Sequence, residues 1–175
     1  MRNQQTKWFE RKFDFSSTQN IFPSIIERLR GTPARLEEKI QAIPENILSE
    51  KVYKSWSIKE NVGHLIDLEP LWMGRLEDIL AKEIYLRTAD LNNTYTNEAN
   101  HNAKHIKDLL KEFRNTRQKT LQKLELLTEN EIYQSALHPR LKTPMRTMDH
   151  FLFVAEHDDH HFVTISNIIQ TSKLI

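Results

Sequence analysis

The stretch that decides the fold is residues 147–169, with the sequence TMDHFLFVAEHDDHHFVTISNII. Its core-facing positions recur at spacings of three and four residues, which is typical of one face of an α-helix. Thr147, at its start, is a residue type that caps helix N-termini. The stretch therefore predicts a long amphipathic helix whose inner seam is His150, Val154, His157, His161, Ile165 and Ile168.

Three earlier segments show the same helical periodicity. One of them begins at a capping box, in which Ser57 is the N-cap and Glu60 reaches back to its amide. Pro33 interrupts another, and because proline removes a backbone donor we expect a kink or a restart there. Four such helices predict an all-α, four-helix bundle that forms a single domain over residues 1–175. The three earlier segments cover about 22–43, 58–81 and 99–127.

The connections between these helices bear on the topology. Residues 82–98 separate the second helix from the third, and at roughly 3.3 Å per residue they could run back along the whole bundle. An up-down-down-up arrangement is therefore open alongside simple up-and-down. The segment 128–146 is also long, and loops of this length often shape a pocket.

Two histidines of the last helix could share a metal ion. His157 and His161 are four residues apart, so their Cβ atoms should lie roughly 5–6 Å apart on one face. His64 lies seven residues into the second helix, about 10 Å along its axis, and an antiparallel pairing would bring it to a similar depth. Three imidazole ligands that leave coordination positions of the ion open suit Zn²⁺, Ni²⁺ or Fe²⁺. The alternative is that they are core histidines held by backbone or carboxylate partners, and an isolated pair favours that alternative.

The other histidines are weaker candidates. His101 and His105 have the same spacing but lie in a polar stretch, so we expect both to be exposed to solvent. His150 precedes His157 by two turns, about 10 Å, which is too far to share its metal. His160 is predicted to point away from the seam.

Composition excludes several classes of function. The chain has 25 Lys and Arg against 24 Asp and Glu, a net charge of +1 that argues against a nucleic-acid-binding protein. No apolar run is long enough to span a membrane, so we expect a cytoplasmic protein. The absence of cysteine excludes thiolate zinc sites and a cysteine nucleophile. The chain lacks the HExxH pattern of zinc proteases and a recognisable serine nucleophile elbow.

Four short motifs resemble one family. Residues 56–65 read WSIKENVGHL, and 156–161 read EHDDHH; 28–36 and 138–140 read RLRGTPARL and HPR. In this order, between about Phe9 and Ile168, they resemble the DinB superfamily.

The resemblance implies a fold, a metal and a range of reactions. It implies a four-helix bundle with a long crossover between the second and third helices, and therefore the up-down-down-up arrangement. It also implies a divalent ion, usually zinc or nickel, bound at one end of the bundle by His64, His157 and His161. Members are similar to transferases and isomerases that use mycothiol, bacillithiol or glutathione, and others are described as metal-dependent hydrolases. We therefore expect a metal-dependent enzyme, a thiol transferase or a hydrolase, that acts on a small molecule.

Further residues beside these motifs are candidates for supporting roles. Carboxylates and one histidine could orient the ligands, and arginines could bind an anionic substrate; ordinary ion pairing is the alternative for both groups. The orienting candidates are Asp67, Glu69, Glu156 and His160, and the substrate-binding candidates are Arg28, Arg35 and Arg140. The competing hypothesis is a structural or ligand-binding bundle, perhaps a homodimer. An N-terminal aromatic segment that could cap the bundle or pack on a partner consists of Trp8, Phe9, Phe13 and Phe15.

Overall fold

A computed structural model of the chain describes residues 5–52 and 55–172. Four long α-helices dominate it, and short helices and a small hairpin occupy the connections. The α-helices are α1 (Phe22–Ile40), α2 (Glu45–Leu48), α3 (Ile58–Leu80), α4 (Thr94–Glu98), α5 (Ile106–Leu124), α6 (Glu129–Tyr133) and α7 (Thr147–Ser172). Two 3₁₀ turns are Trp8–Glu10 and His101–Ala103, and the antiparallel strands are β1 (Ser135–Leu137) and β2 (Pro144–Arg146).

Most helix boundaries agree with the sequence patterns, and three details differ. The capping box of Ser57 and Glu60 is present and starts α3. The helix α1 continues through Pro33 without the expected restart. The helix α5 begins at Ile106, later than predicted, because the preceding residues form a 3₁₀ turn and an extended residue. The β1–β2 hairpin in the second long connection was not predicted.

Contacts between helices fix the bundle's topology. In a parallel pair of helices, the start of one helix contacts the start of the other. In an antiparallel pair, the start of one helix contacts the end of the other. The helices α1 and α7 run parallel, and α3 and α5 both run the opposite way, so the topology is up-down-down-up, as the resemblance implied. The pairs are Arg28–Asp159 and Lys39–Ser166 for α1 and α7, Arg30–Glu125 and Glu37–Arg114 for α1 and α5, and Asn61–His161 and Trp72–His150 for α3 and α7.

The long crossover follows from this topology. Because α3 and α5 run in the same direction, residues 81–105 must return along the bundle before α5 begins. The crossover is held against the hairpin by backbone hydrogen bonds, in which the Leu86 N–H donates to Leu137 and the Leu137 N–H donates to Ile84. In this way both long connections meet on one side of the bundle.

The core consists of two apolar clusters with a polar layer between them. One cluster contains Trp72 and Phe151, and the other contains Val62 and Phe113. Between them, the buried Arg117 on α5 forms hydrogen bonds to the carboxylates of Glu69 and Asp158. Separately, no helix among the described residues is long and apolar enough to cross a membrane. The histidines of interest lie at the level of this polar layer.

Candidate metal centre

Three histidines converge at the middle of the bundle. His64 comes from α3, and His157 and His161 come from successive turns of α7; all three are buried. One ring nitrogen from each lies within 4.8 Å of the others, and the Nε2 atoms of His157 and His161 are 3.3 Å apart. Nitrogens bound to one tetrahedral ion at about 2.0–2.1 Å lie about 3.3–3.4 Å apart, so the rings fit a single ion after a small adjustment.

The depth of His64 in its helix agrees with the position expected from the sequence. His64 lies almost two turns inside the start of α3, and His161 lies about three turns before the end of α7. The rings therefore sit between the two apolar clusters.

The tautomer of His64 follows from its neighbours. Its Nδ1 lies 3.1 Å from the Thr96 hydroxyl, and that hydroxyl donates to Asp67 at 2.8 Å. Because the hydroxyl proton is used for Asp67, the oxygen accepts from His64 Nδ1–H. The Nε2 lone pair of a neutral His64 is then free for a metal ion.

The same argument applies to His161. Its Nδ1 lies 2.7 Å from Asn61 Oδ1, while the Asn61 amide nitrogen donates to the carbonyls of Trp56 and Ser57. These two bonds fix the orientation of the amide, so Oδ1 must be the acceptor for His161 Nδ1–H. His161 therefore also presents its Nε2 lone pair to the centre, and such outer hydrogen bonds are typical of metal-ligating histidines.

His157 completes the cluster from an apolar environment. Its ring lies edge-on to Trp8 and Trp72, with centroids 4.9 Å and 5.6 Å away. Its Nδ1 is buried and has no hydrogen-bond partner among the described residues. Buried polar atoms without a hydrogen-bond partner are uncommon. Each indicates either a loss of stability or a functional requirement.

Electrostatics keep the three rings neutral. Burial lowers the pKa of His64 to about 4, partly offset by the charge of Asp67. Burial, and next the neighbouring histidines, lower the pKa values of His157 and His161 well below the ordinary value. Only the neutral imidazole binds a metal ion, so all three residues are available as ligands at neutral pH.

A cavity of about 740 Å³ opens above the histidines. Its walls near the cluster are aromatic, from Trp8, Trp56 and Trp72. The N-terminal aromatic segment, which could have capped the bundle or packed on a partner, packs on its own chain, because Trp8 and Phe13 both contact Phe153 of α7. The size is that of a small-molecule site.

The orienting candidates occupy different places. Asp67 reaches His64 through Thr96 and also bonds His101 at 2.9 Å. Glu69 instead pairs with the buried Arg117, in the polar layer.

Two other orienting candidates lie on the outer side of α7. Glu156 forms ion pairs with Arg11 and Arg28 and makes no hydrogen bond to the cluster. His160 lines the cavity, with its ring 5.7 Å from that of His161.

The three arginines predicted to bind substrate also lie in different places. Arg28 and Arg35 form ion pairs with Asp159 and are not part of the cavity wall. Arg140 does line the cavity, over the Phe9 ring.

Sequence reasoning missed several residues of the site. His101, expected to be exposed, is 2% exposed, because its ring packs over Gly63 and bonds Asp67. That expectation was wrong because burial there comes from tertiary packing of the crossover. Thr96 gave no sequence signal, whereas Asn61 lies one helical turn before His64 and could have been found from that spacing.

Comparisons with known proteins identify the family and the fold of the chain. No curated protein matches it. Among solved structures, YfiT from Bacillus subtilis, described as "a probable metal-dependent hydrolase with an unusual four-helix bundle topology", superposes with a TM-score of 0.81. The two are 18% identical and the match covers 94% of each chain, so the likeness shows the fold. The model of the DinB superfamily matches residues 28–165, and the chain therefore belongs to the DinB superfamily.

Proposed function

We propose that this chain is a metal-dependent enzyme in which His64, His157 and His161 hold one divalent ion, zinc or nickel. We further propose that it acts on a small molecule, by hydrolysis or by transfer of a low-molecular-weight thiol. The observation that carries the proposal is the convergence of three buried, neutral imidazoles on the floor of a large cavity. Imidazole nitrogen is a ligand that suits zinc and nickel.

The surrounding side chains give the site a fixed geometry. Asn61 orients His161, and Thr96 with Asp67 orients His64, so two of the three ligands are held in the tautomer that binds metal. Rings held in this way lose little freedom on metal binding. A bound ion of this kind lowers the pKa of a water molecule or thiol at its open position and supplies a nucleophile at neutral pH.

The cavity wall supplies the remaining functions. The aromatic side chains Trp8, Trp56 and Trp72 exclude water from the reacting groups and pack against an apolar part of the substrate. His160, on the same wall, has its pKa lowered by burial and next by the charge of Arg11. Its imidazole is therefore neutral at pH 7 and is available to accept a proton from the nucleophile.

Hydrolysis and thiol transfer share this machinery and differ in the nucleophile. The fold likeness to YfiT, described as a probable metal-dependent hydrolase, supports hydrolysis, and the resemblance to thiol-dependent members supports transfer. An assay with and without bacillithiol, mycothiol or glutathione separates them. Turnover of aryl esters without thiol indicates a hydrolase, whereas conjugation of an electrophile only with thiol indicates a transferase.

Elemental analysis of tag-free protein tests the metal site directly. We expect about one zinc or nickel ion per chain in the wild type, as for a single three-histidine site. His64→Ala should lose the ion, and His105→Ala should retain it because His105 is exposed and is not one of the three clustered histidines. Wild-type protein without metal, even after reconstitution, would contradict the proposal and favour a non-catalytic, perhaps dimeric, bundle.

A further inference from the structure

Arg75 is a buried cation without an ion-pair partner. This α3 side chain is 2% exposed, and no carboxylate of the described residues lies within 4.0 Å of its guanidinium. Its Nε donates to the Arg87 carbonyl at 3.1 Å. Asp78, one turn further along α3, is instead bound by the Arg87 side chain and N–H. Burial lowers the pKa of Arg75 to about 10, the charge of Asp78 partly offsets this, and the charge of Arg140 lowers the pKa further.

The contrast with Arg117 shows that this arrangement is unusual within the same bundle. Arg117 is equally buried, but it bonds both Asp158 and Glu69. Arg75 has the Arg87 carbonyl and the Trp72 ring as neighbours but no counter-charge of the described residues within 4.0 Å, so an anionic ligand would offset the cost of burying its charge.

His138 directs a second donor at the same point. Its Nδ1 accepts hydrogen bonds from the backbone N–H groups of Arg140 and Leu141, at 3.2 Å and 3.1 Å. A neutral His138 therefore carries its proton on Nε2, which lies 3.3 Å from Arg75 Nη1. Burial lowers the pKa of His138 to about 4, so the ring is neutral at pH 7. Two donors that face each other in this way can both be satisfied by one anionic oxygen.

The cavity wall around this pair is positively charged. Arg140 lines the cavity, and no carboxylate of the described residues lies within 4.0 Å of its guanidinium. Among the lining residues that the structure describes, Asp90 carries the one carboxylate. Its oxygens accept hydrogen bonds from the backbone N–H groups of Asn92 and Thr94, and its single negative charge faces the two arginines of the wall.

We propose that Arg75, His138 and Arg140 form a subsite that binds the carboxylate or phosphate of this enzyme's small-molecule substrate. The placement of the substrate's reactive group at the histidine cluster rests on the proposed function. Trp72 connects the two ends of the cavity, since its ring centroid is 5.6 Å from that of His157 and 5.7 Å from Arg75 Cζ. The substrate class is therefore an amphiphilic anion: a charged group at one end, an apolar middle along Trp72, and the reactive group at the other end.

Binding of three matched six-carbon probes to the metal-free full-length chain tests the subsite. Hexanoate, hexyl phosphate and hexan-1-ol share an apolar tail and differ in the head group. Calorimetry should show at least one anion binding about tenfold more tightly than the alcohol, the size of one charge-assisted hydrogen bond. The better anion identifies the head group as carboxylate or phosphate.

Variants assign the preference to named residues. Arg75→Met, and independently the more exposed Arg140→Met, should reduce the preference for the anion. Arg114→Met, on the outer face of α5, should leave it unchanged. Equal binding of all three probes, no binding of either anion, or a preference that survives in both cavity variants would overturn the proposal.

One further variant separates this proposal from the proposed function. His157→Ala should lose the metal ion and keep the preference for the anion. A chain that binds no metal but prefers the anion would contradict the proposed function alone, whereas a metal-loaded chain without that preference would contradict the subsite alone.

Discussion

Asn61 accepts a 2.7 Å hydrogen bond from His161, and this bond joins α3 to α7 beside the candidate metal centre. The Asn61 amide nitrogen is held by two backbone carbonyls, so its oxygen can face only the imidazole. A residue one turn from His64 on α3 thereby sets the tautomer of His161, a proposed metal ligand on α7. The orientation of His161 and the packing of α3 against α7 therefore depend on each other.

The first prediction concerns this bond. Asn61→Leu keeps the number of side-chain heavy atoms and the branch at Cγ but leaves His161 Nδ1–H without an acceptor, so we expect zinc affinity to fall about 10- to 100-fold. Competition with a chromophoric chelator measures the change. Asn115→Leu, at an exposed position of α5, is the control and should bind zinc like the wild type. Unchanged affinity in Asn61→Leu would show that the bond is not needed to orient the ligand.

The Thr96 hydroxyl gives a second, matched pair of variants. Thr96→Val preserves shape but removes the group that accepts from His64 and donates to Asp67, so we expect zinc affinity about tenfold weaker. Thr96→Ser keeps the hydroxyl and should remain close to the wild type. Equal losses in both variants would point to packing of the threonine methyl group instead.

Two helical glycines should respond in opposite ways to alanine. A Cβ on Gly63 would overlap the His101 ring, which then must leave Asp67, so Gly63→Ala should lower the free energy of unfolding by about 1–3 kcal/mol. The nearest atom to a Cβ on Gly31 is Arg35 Nε at 4.0 Å. Gly31→Ala should therefore raise the free energy of unfolding by up to about 1 kcal/mol, through helix propensity.

Urea denaturation of both alanine variants measures these changes. A neutral Gly63→Ala would mean that the His101 ring is not held closely against α3.

The buried ion cluster of α5 should matter far more than a surface pair on the same helix. Removal of Arg117 leaves Glu69 and Asp158 buried without a counter-charge, so Arg117→Met should lower the free energy of unfolding by about 3–5 kcal/mol. Arg114 lies one turn away and pairs with Glu37 at the surface, so Arg114→Met should cost about 0–1 kcal/mol. Similar losses in the two variants, measured by urea denaturation, would contradict this reading of the polar layer.

His150 should make stability depend on pH. Burial lowers its pKa to about 3, whereas the unfolded chain has the ordinary value of about 6.5. Between these values the unfolded state binds the additional proton, so the contribution of His150 to the free energy of unfolding is lost as pH falls from about 6.5 towards 3 and is constant above that range.

Removal of this histidine should flatten the pH profile. We expect the free energy of unfolding of His150→Phe to fall less steeply than that of the wild type, by about 1 kcal/mol per pH unit, between about pH 5.5 and 4. Urea denaturation at successive pH values measures the slope, and a constant offset from the wild type between pH 7 and 8 is the control. An unchanged slope in the variant would show that His150 takes up its proton equally in both states.

Several features were predictable because they depend on residues three or four positions apart. The capping box of Ser57 and Glu60 and the shared face of His157 and His161 are of this kind. Local spacing also misled, since the proline at position 33 is accommodated within α1 and the start of α5 is displaced by a 3₁₀ turn. The resemblance, rather than any local pattern, indicated the topology.

The sequence by itself determined the four amphipathic helices and the two histidines on one face of the last, because helical periodicity and capping act within a turn. Only the tertiary structure decided which partners those histidines meet. Asn61 and His161 are 100 residues apart, and Arg75 and His138 are 63 apart. Contacts at such separations depend on the directions of the helices and the path of the crossover. Those depend on how the apolar faces pack together, and no short stretch of sequence records that packing.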